Sequence, residues 1–294
     1  MKKILVIAVV VAVLASLVVP ASAFAKGSGP QDEGKKYAIV IGISDYPGDL
    51  NVLQGGLDLF YADDDAQTVR DTLVGIYGFD PKNVTVLLNS DATRGAIISS
   101  INTLKGKVRE GSEFFFFFSG HSFRASEIGM PGPADQVGIM VWNGNSPEPV
   151  MLWDYELDRA FSGFDGANIV FVFDSCSSAS FSELAGDTRI LVAATGPTGI
   201  AGEFGTAYSD IFPLPPEYEF MADINQGLFT YFFFVQRIQY GYADADSDGI
   251  VSIEEAFNFS QPILIGMTQM AGSMGMPLDE TPVLMDCIQG DFVP

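Results

Sequence analysis

Histidine, cysteine and basic side chains are all scarce in this sequence. The 294 residues include one histidine and two cysteines, so the chain can form at most one disulfide and any histidine chemistry depends on a single residue. Lysine and arginine together number 15 against 37 acidic residues, which gives a formal net charge of −22. A surface with this charge repels nucleic acid and anionic lipid. We therefore exclude nucleic acid as a partner and expect cations or peptides and proteins with basic residues.

The first 36 residues have the pattern of an export signal followed by a leader. A basic start precedes an apolar run, Ile4–Val19, and small residues then fit signal cleavage after Ala23 or Ala25. We predict a signal peptide over residues 1–23, a polar leader over 24–36 and a secreted or extracytoplasmic protein. The alternative is an uncleaved membrane anchor, although the apolar run is slightly short for a span. Contact with a membrane is expected only in that case.

Apolar runs and helical periodicities alternate along the rest of the chain. Most of the runs are continuously apolar rather than alternating, which is typical of a parallel sheet with helices on both faces. We predict one α/β domain over residues 37–294, a three-layer sandwich with a mostly parallel central sheet flanked by helices. The predicted strands are 37–44, 83–89, 113–119, 168–175 and 189–196, and the predicted helices are 63–77, a segment capped by Thr93, 153–164, 228–240 and 254–270.

The single histidine and one cysteine directly follow two of these strands. His121 comes after the phenylalanine run in FFFFFSGHS, and Cys176 comes at the end of a second run, in FVFDSCSS. Because the carboxyl ends of parallel strands meet at one edge of a sheet, we expect the two side chains to converge. An imidazole makes a neighbouring thiol more nucleophilic and can protonate a leaving amine, as in cysteine peptidases. The alternatives are a structural histidine, a buried structural cysteine, or a Cys176–Cys287 disulfide.

These two blocks resemble the catalytic blocks of the caspase and metacaspase-like cysteine peptidases. YAIVIGIS resembles the family's first strand, LFYADDDAQTVRDTLVGIYGF its first helix, and DETPVLMD its closing strand. The resemblance implies a caspase-like fold, His121 as general base and acid, Cys176 as nucleophile, and an oxyanion hole formed by the backbone N–H groups of Gly120 and Cys176. It also implies that the chemistry requires no cofactor. The chain departs from the metacaspase pattern at Ser122 and at Ser177–Ala179.

The resemblance further implies cleavage after arginine or lysine. Asp174, Ser119 and Asp65 match the residues that form an acidic substrate pocket in metacaspases, although Asp64 could be confused with Asp65. The aspartates could instead complement a helix dipole or end a strand. We expect a secreted cysteine endopeptidase that cleaves after Arg or Lys. The alternative is a catalytically silent caspase-like module that binds calcium or a partner.

A second motif, DADSDGIVSIEE, occupies residues 244–255. Its spacing matches an EF-hand calcium loop, in which carboxylates converge on one hard cation and Gly249 permits the sharp turn. We expect a calcium ion with a mainly structural role, and the alternative is an acidic helix–turn–helix without metal. The predicted ligands are Asp244, Asp246, Asp248, the Ile250 carbonyl, Ser252 and Glu255.

Overall fold

Strands and helices alternate along the part of the chain that the computed structural model describes. This part comprises residues 35–47, 55–130, 133, 135–144, 150–164, 166–211, 216–288 and 290–294. The predicted signal peptide and nearly all of the predicted leader lie outside it. Within the described residues, no helix is both long enough and apolar enough to cross a membrane.

The strands and helices are numbered in chain order. The strands are β1 (Lys36–Gly42), β2 (Val84–Leu88), β3 (Glu113–Ser119), β4 (Ser122–Arg124), β5 (Val137–Val141), β6 (Val150–Trp153), β7 (Asn168–Asp174), β8 (Arg189–Ala193), β9 (Glu203–Phe204), β10 (Gln226–Gly227) and β11 (Val283–Met285). The helices are α1 (Ala62–Gly75), α2 (Arg94–Leu104), α3 (Asp154–Phe161), α4 (Thr206–Ile211), α5 (Leu228–Thr230), which continues as a π-helical segment (Tyr231–Gln239), and α6 (Ile253–Ser273). Short 3₁₀ segments are Pro81–Asn83, Asn89–Asp91, Ser178–Leu184 and Pro216–Asp223.

The central sheet has six strands in the order β11-β8-β7-β3-β1-β2. β1, β2, β3, β7 and β8 are parallel, and β11 alone runs antiparallel, beside β8. The prediction of a mostly parallel sheet is therefore confirmed. β1 begins at Lys36, whose Nζ forms an ion pair with Glu113 at 3.4 Å and donates to the Pro294 carbonyl at 2.9 Å.

The phenylalanine run forms the buried middle of this sheet. All five phenylalanines of β3, Phe114 to Phe118, are at most 1% exposed. Successive side chains of a strand point to opposite faces, so the run supplies both cores at once. Phe117 packs edge-on against Phe234 on one face, and Phe116 packs against Phe161 on the other. Each buried phenylalanine contributes about 1.5–3 kcal/mol through removal from water, so β3 rigidly supports the residues at its carboxyl end.

Helices cover both faces of the sheet and complete the predicted sandwich. One core joins the sheet to α1, the α5 segment and α6, and the other joins it to α2, α3 and the Ser178–Leu184 turn. Thr93 caps α2 as predicted, accepting a hydrogen bond from the Ala96 N–H at 3.1 Å.

Three features were not predicted from the sequence. β4, β5 and β6 form a separate antiparallel sheet directly after His121, and β9 pairs with β10 in a short ribbon. These strands have two to five residues, too few to establish a periodicity. The helix predicted over 228–240 is mostly π-helical. The apolar pattern of this segment predicts a helix but does not distinguish α-helical from π-helical hydrogen bonding.

Candidate active site

The register of β3 and β7 brings the two blocks together. Ser119 pairs with Asp174 in this parallel ladder, and His121 and Cys176 each lie two residues beyond that pair. Adjacent strands are about 4.8 Å apart, so both residues leave the sheet at the same edge. The Ser122 hydroxyl donates a hydrogen bond to the Cys176 carbonyl and ties the two chain segments to each other.

The sulfur of Cys176 is not in a disulfide. Cys176 is partly buried and Cys287 is exposed, and both are free thiols. The alternative of a Cys176–Cys287 disulfide is therefore not found in the structure.

The imidazole of His121 is held in one tautomer by a backbone carbonyl. Its Nε2 lies 2.8 Å from the oxygen of Leu57, which can only accept a hydrogen bond, so Nε2 carries the proton. The Nδ1 of the neutral ring is then unprotonated and can accept a proton. The Tyr46 ring lies 4.9 Å from the imidazole and the Phe123 ring stacks on it at 5.6 Å. The Tyr46 hydroxyl also accepts the His121 N–H at 2.9 Å, which fixes the backbone.

Burial favours the neutral forms of both His121 and Cys176. It lowers the pKa of His121 below 6.5, although the Leu57 carbonyl and Asp58 partly oppose this. Burial raises the pKa of Cys176 to about 11, against the effect of the Ala201 N–H, which donates to the sulfur. If these two residues form a catalytic pair, their neutral resting forms favour transfer of the thiol proton during attack over a preformed thiolate.

Gly120 occupies a position where no side chain fits. Its φ is +149°, and a Cβ there would lie 2.7 Å from the Tyr46 hydroxyl and 2.9 Å from the Phe118 ring. Its N–H, a predicted oxyanion donor, points to the Asp174 carbonyl at 3.4 Å. That distance is at the long end for a hydrogen bond, so little is lost if a substrate oxyanion takes this donor.

Two buried carboxylates converge beside the same sheet edge. Asp65 accepts hydrogen bonds from the Ser119 hydroxyl at 2.7 Å and the Gly227 N–H at 3.0 Å. Asp174 accepts from the N–H and hydroxyl of Thr230 at 2.9 and 2.7 Å. A Cβ on Gly227 would lie 2.4 Å from Asp174 Oδ2 and 2.8 Å from Asp65 Oδ2, so both carboxylates approach one point.

Asp65, rather than Asp64, is the aspartate of α1 that joins this group. Asp65 is 1% exposed and Asp174 is 5% exposed, whereas Asp64 faces solvent. Burial raises the pKa of Asp174 to about 6, and burial together with Asp174 raises the pKa of Asp65 well above its usual range. None of the ion pairs within the described residues includes either aspartate. Two buried carboxylates without a basic partner are costly to ionise, and a bound cation would remove that cost.

Further residues at the site were missed from the sequence. Leu57 acts through its carbonyl, which every residue has, so its identity carries no signal. Glu203 lies in β9, and its carboxylate accepts the N–H groups of Phe60 and Tyr61 at 2.6 and 2.9 Å, which secures the start of α1. Burial raises the pKa of Glu203 to about 7. In the sequence, the one sign that Glu203 is buried was its position within the otherwise apolar stretch AGEF.

The predicted calcium loop is a separate site, and the structure brings three of its side chains together. Carboxylate oxygens of Asp244, Asp246 and Glu255 all lie within 4.8 Å of one another. Asp248 is outside that group, and its Oδ1 accepts the Ile250 N–H at 2.8 Å.

Ser252 has a local partner in this loop. Its hydroxyl caps α6 by accepting the Glu255 N–H at 3.1 Å, while Glu255 accepts the Ser252 N–H at 3.0 Å. Burial opposes ionisation of Glu255, but N–H groups of Ser252, Ala245 and Asp246 outweigh it and lower its pKa. Ionised Glu255 is the form that a cation would require.

Comparison with known proteins agrees with this architecture. The caspase domain model matches residues 35–244. Protein GSU0716 from Geobacter sulfurreducens superposes with a TM-score of 0.55 at 16% identity, covering 87% of this chain and 95% of that chain. Caspase-1 from Spodoptera frugiperda superposes with a TM-score of 0.53 at 11% identity, covering 89% of this chain and 90% of that chain. No curated protein matches the sequence significantly. Since the family model covers well over half of the residues, the chain belongs to the caspase domain family of cysteine peptidases.

Proposed function

We propose that this protein is a cysteine endopeptidase that uses a Cys176–His121 dyad and cleaves after arginine or lysine. The observation that carries the proposal is the placement of both residues two positions past a registered strand pair, with the Leu57 carbonyl holding His121 in the tautomer of a base. Buried β3 and β7 supply a rigid support for this geometry.

The proposed reaction begins from the neutral resting state. The thiol proton moves to His121 Nδ1 as Sγ attacks the scissile carbonyl carbon, and negative charge collects on the carbonyl oxygen. The Gly120 and Cys176 N–H groups would stabilise that oxyanion. His121 then gives its proton to the amine nitrogen as the C–N bond breaks and a thioester remains. Water next transfers a proton to Nδ1 and attacks the thioester, and the thiolate recovers that proton as the acid leaves.

The proposed preference for a basic side chain rests on the paired aspartates. An arginine or lysine that reaches Asp65 and Asp174 would exchange their mutual repulsion for charge-assisted hydrogen bonds. Peptide-library cleavage, with every amino acid presented before the scissile bond, tests the specificity. A profile dominated by aspartate or glutamate would exclude this pocket.

A catalytically silent module is the second candidate. The raised pKa of Cys176 and the contact of the Gly120 N–H with Asp174 would both be tolerated in a protein without activity. Such a protein would bind basic peptides and leave them uncut, so the same library distinguishes the two candidates.

The pH dependence of kcat/KM should differ between a charged and a neutral substrate. Citrulline has the shape of arginine without its charge. With citrulline before the bond, activity should fall only below an apparent pKa under 6.5, because His121 must be neutral and burial lowers its pKa. With arginine, the acid limb should lie at higher pH, because Asp174, with a pKa of about 6, must also be ionised. The two profiles of kcat/KM can be measured in stopped assays over pH 4–8. If they fall at the same pH on the acidic side, the pocket carboxyl groups do not interact with the charge of the substrate.

We also propose that residues 244–255 bind calcium in a mainly structural role. The close approach of the Asp244, Asp246 and Glu255 oxygens supports this, since three carboxylates so near each other repel unless a cation lies between them. Asp248, the Ile250 carbonyl and Ser252 would complete the ligands.

Calcium should raise the thermal midpoint of the wild-type protein relative to chelator. Selective binding to the folded state at a hundredfold excess over Kd contributes about 2.7 kcal/mol, which corresponds to about 5–10 °C for a domain of this size. Glu255→Gln should lose most of that shift while keeping the helix cap, because glutamine also serves in a capping box. Exposed Glu183→Gln is the matched control and should respond like wild type. Midpoints that ignore calcium in all three proteins would refute the site.

Export remains a proposal based on residues 1–23, and removal of that segment leaves a chain that begins at Phe24. The proposed partners of the protein are peptides or proteins with basic residues. Membrane contact is proposed only for a form in which the signal segment is uncleaved. The intact mass of the protein recovered outside the producing cell would reveal whether the segment has been removed.

A further inference from the structure

A third buried carboxyl group, that of Glu280, lies beside the proposed pocket and has one oxygen without a partner. Glu280 is 0% exposed, its Oε1 accepts the Gly202 N–H at 2.7 Å, and its Oε2 has no hydrogen-bond partner. A buried acceptor without a partner is unfavourable and is often explained by a ligand that completes it. The backbone of Glu280 is firmly held, because Thr268 accepts the Glu280 N–H at 2.8 Å and donates to the Glu280 carbonyl at 3.0 Å.

Hydrogen bonds through the Gly202 and Gly227–Leu228 backbone link Glu280 to Asp65, and Asp174 lies against the same Gly227. The Gly202 carbonyl accepts the Leu228 N–H at 2.9 Å, and the preceding residue, Gly227, is the one that contacts both Asp65 and Asp174. The fields of Asp174 and Asp65 also add to the burial that raises the pKa of Glu280. The three carboxyl groups therefore lie near enough for their charges to interact, although they come from three separate parts of the chain: α1, the end of β7 and the segment before β11.

We infer that Glu280 is a further specificity-determining residue, whose Oε2 accepts a hydrogen bond from the substrate cation and makes the pocket prefer arginine to lysine. This inference rests on the proposed function and deepens it, since the sequence patterns pointed to Asp65, Ser119 and Asp174 without distinguishing the two basic residues.

The preference for arginine follows from the number and direction of the acceptors. A guanidinium group presents five N–H donors in a planar fork, and it is less strongly hydrated than an ammonium group. Several acceptors from separate segments suit such a fork, whereas a lysine ammonium has three donors around one atom. Because all three carboxyl groups are buried, the smaller cost of removing a guanidinium from water also favours arginine.

The direct test is kcat/KM for substrates that differ only in arginine, lysine or citrulline before the bond. Wild type should prefer arginine to lysine by about tenfold or more, the effect of one charge-assisted hydrogen bond. Glu280→Gln retains an Oε1 acceptor for Gly202 and removes the charge and the free acceptor. It should lose about 10- to 100-fold with arginine, mainly through KM, and change little with citrulline. Glu183→Gln, an exposed site, is the matched control.

A binding measurement tests the same inference without turnover. Agmatine carries a guanidinium in place of one of the two ammonium groups of putrescine. It should raise the thermal midpoint of wild type more than putrescine does, and Glu280→Gln should reduce that difference. An Arg-to-Lys ratio near one in wild type, or a Glu280→Gln profile that loses arginine and citrulline cleavage equally, would overturn the role of Glu280. If Glu280→Gln does not fold, an Arg-to-Lys ratio near one in wild type, or equal stabilisation by agmatine and putrescine, would still overturn the inference. Failure to cleave after any basic residue would instead refute the proposed function. Agmatine binding would then show whether the acidic pocket exists in a protein without peptidase activity.

Discussion

Replacement of Cys176 by alanine should lower kcat by about ten-thousand-fold or more, the usual cost of removing a nucleophile from a coupled catalytic pair. His121→Ala should have a similar effect, because the resting thiol has a pKa of about 11 and needs a base in order to attack. Both variants should retain the circular dichroism spectrum and nearly the same thermal midpoint, since the two residues lie just beyond the buried strands β3 and β7 of a six-stranded sheet. Single-turnover and steady-state assays with an arginine substrate measure the loss.

The control for this pair is Cys287→Ser. Cys287 is an exposed free thiol, and its replacement should leave activity unchanged. Retention of full activity in either Cys176→Ala or His121→Ala would contradict the dyad. A loss that is accompanied by unfolding would instead assign the residue a structural role, so the thermal midpoint must be measured for each variant.

Asp174→Asn should reduce kcat/KM for an arginine substrate by about a hundredfold and leave the citrulline substrate nearly unaffected. Asparagine keeps an oxygen that can accept from the Thr230 N–H and hydroxyl, which hold this carboxylate at 2.9 and 2.7 Å. What it removes is the charge that meets the guanidinium, and loss of one partner from a buried charge pair typically costs about 2–5 kcal/mol. The ratio of the two substrates isolates this effect from any change in the dyad.

Asp64→Asn is the matched control for the pocket variant. Asp64 carries the same charge on the adjacent position of α1, but it faces solvent while Asp65 is buried. Its replacement should change the arginine-to-citrulline ratio by less than about twofold, as expected for a screened surface charge. Equal losses with Asp64→Asn and Asp174→Asn would indicate a general field effect of the acidic surface rather than a pocket.

The strands and most helices could be predicted because local patterns report burial. The Phe114–Phe118 run has no polar position, which is typical of a strand covered on both faces, and Thr93 marks a helix start by a local hydrogen bond. The antiparallel direction of β11 could not be predicted, because the apolar pattern of Val283–Met285 carries no direction and its pairing with β8 depends on the whole chain. The same limit applies to β4, β5 and β6.

Part of the candidate site could also be predicted from the sequence, because two of its residues directly follow buried strands. His121 and Cys176 follow long buried strands, so strand ends predicted their shared edge. The choice between Asp64 and Asp65 required the orientation of α1, which only packing determines. Leu57 contributes a backbone carbonyl and leaves no trace in sequence. Glu280 lies over a hundred residues from Cys176 along the chain, and its burial depends on Gly202 and Thr268.

The calcium loop illustrates the difference between a motif and its geometry. The spacing of residues 244–255 predicts six ligands, whereas the structure brings carboxylates of Asp244, Asp246 and Glu255 within reach of one another. Asp248 instead accepts a backbone N–H from Ile250. A carboxylate has a second oxygen, so this contact does not exclude Asp248 as a ligand, and the thermal response to calcium is the informative measurement there.

Covalent labelling of Cys176 tests the central claim of a basic-specific cysteine peptidase most directly. A peptide with arginine before a thiol-reactive ketone should form one adduct per chain, which peptide mapping by mass spectrometry should locate at Cys176. The adduct should form far more slowly in His121→Ala, and the aspartate analogue of the reagent should not react at the same concentration. An arginine reagent that leaves Cys176 unmodified, or that labels Cys176 no faster than the aspartate reagent does, would contradict the account.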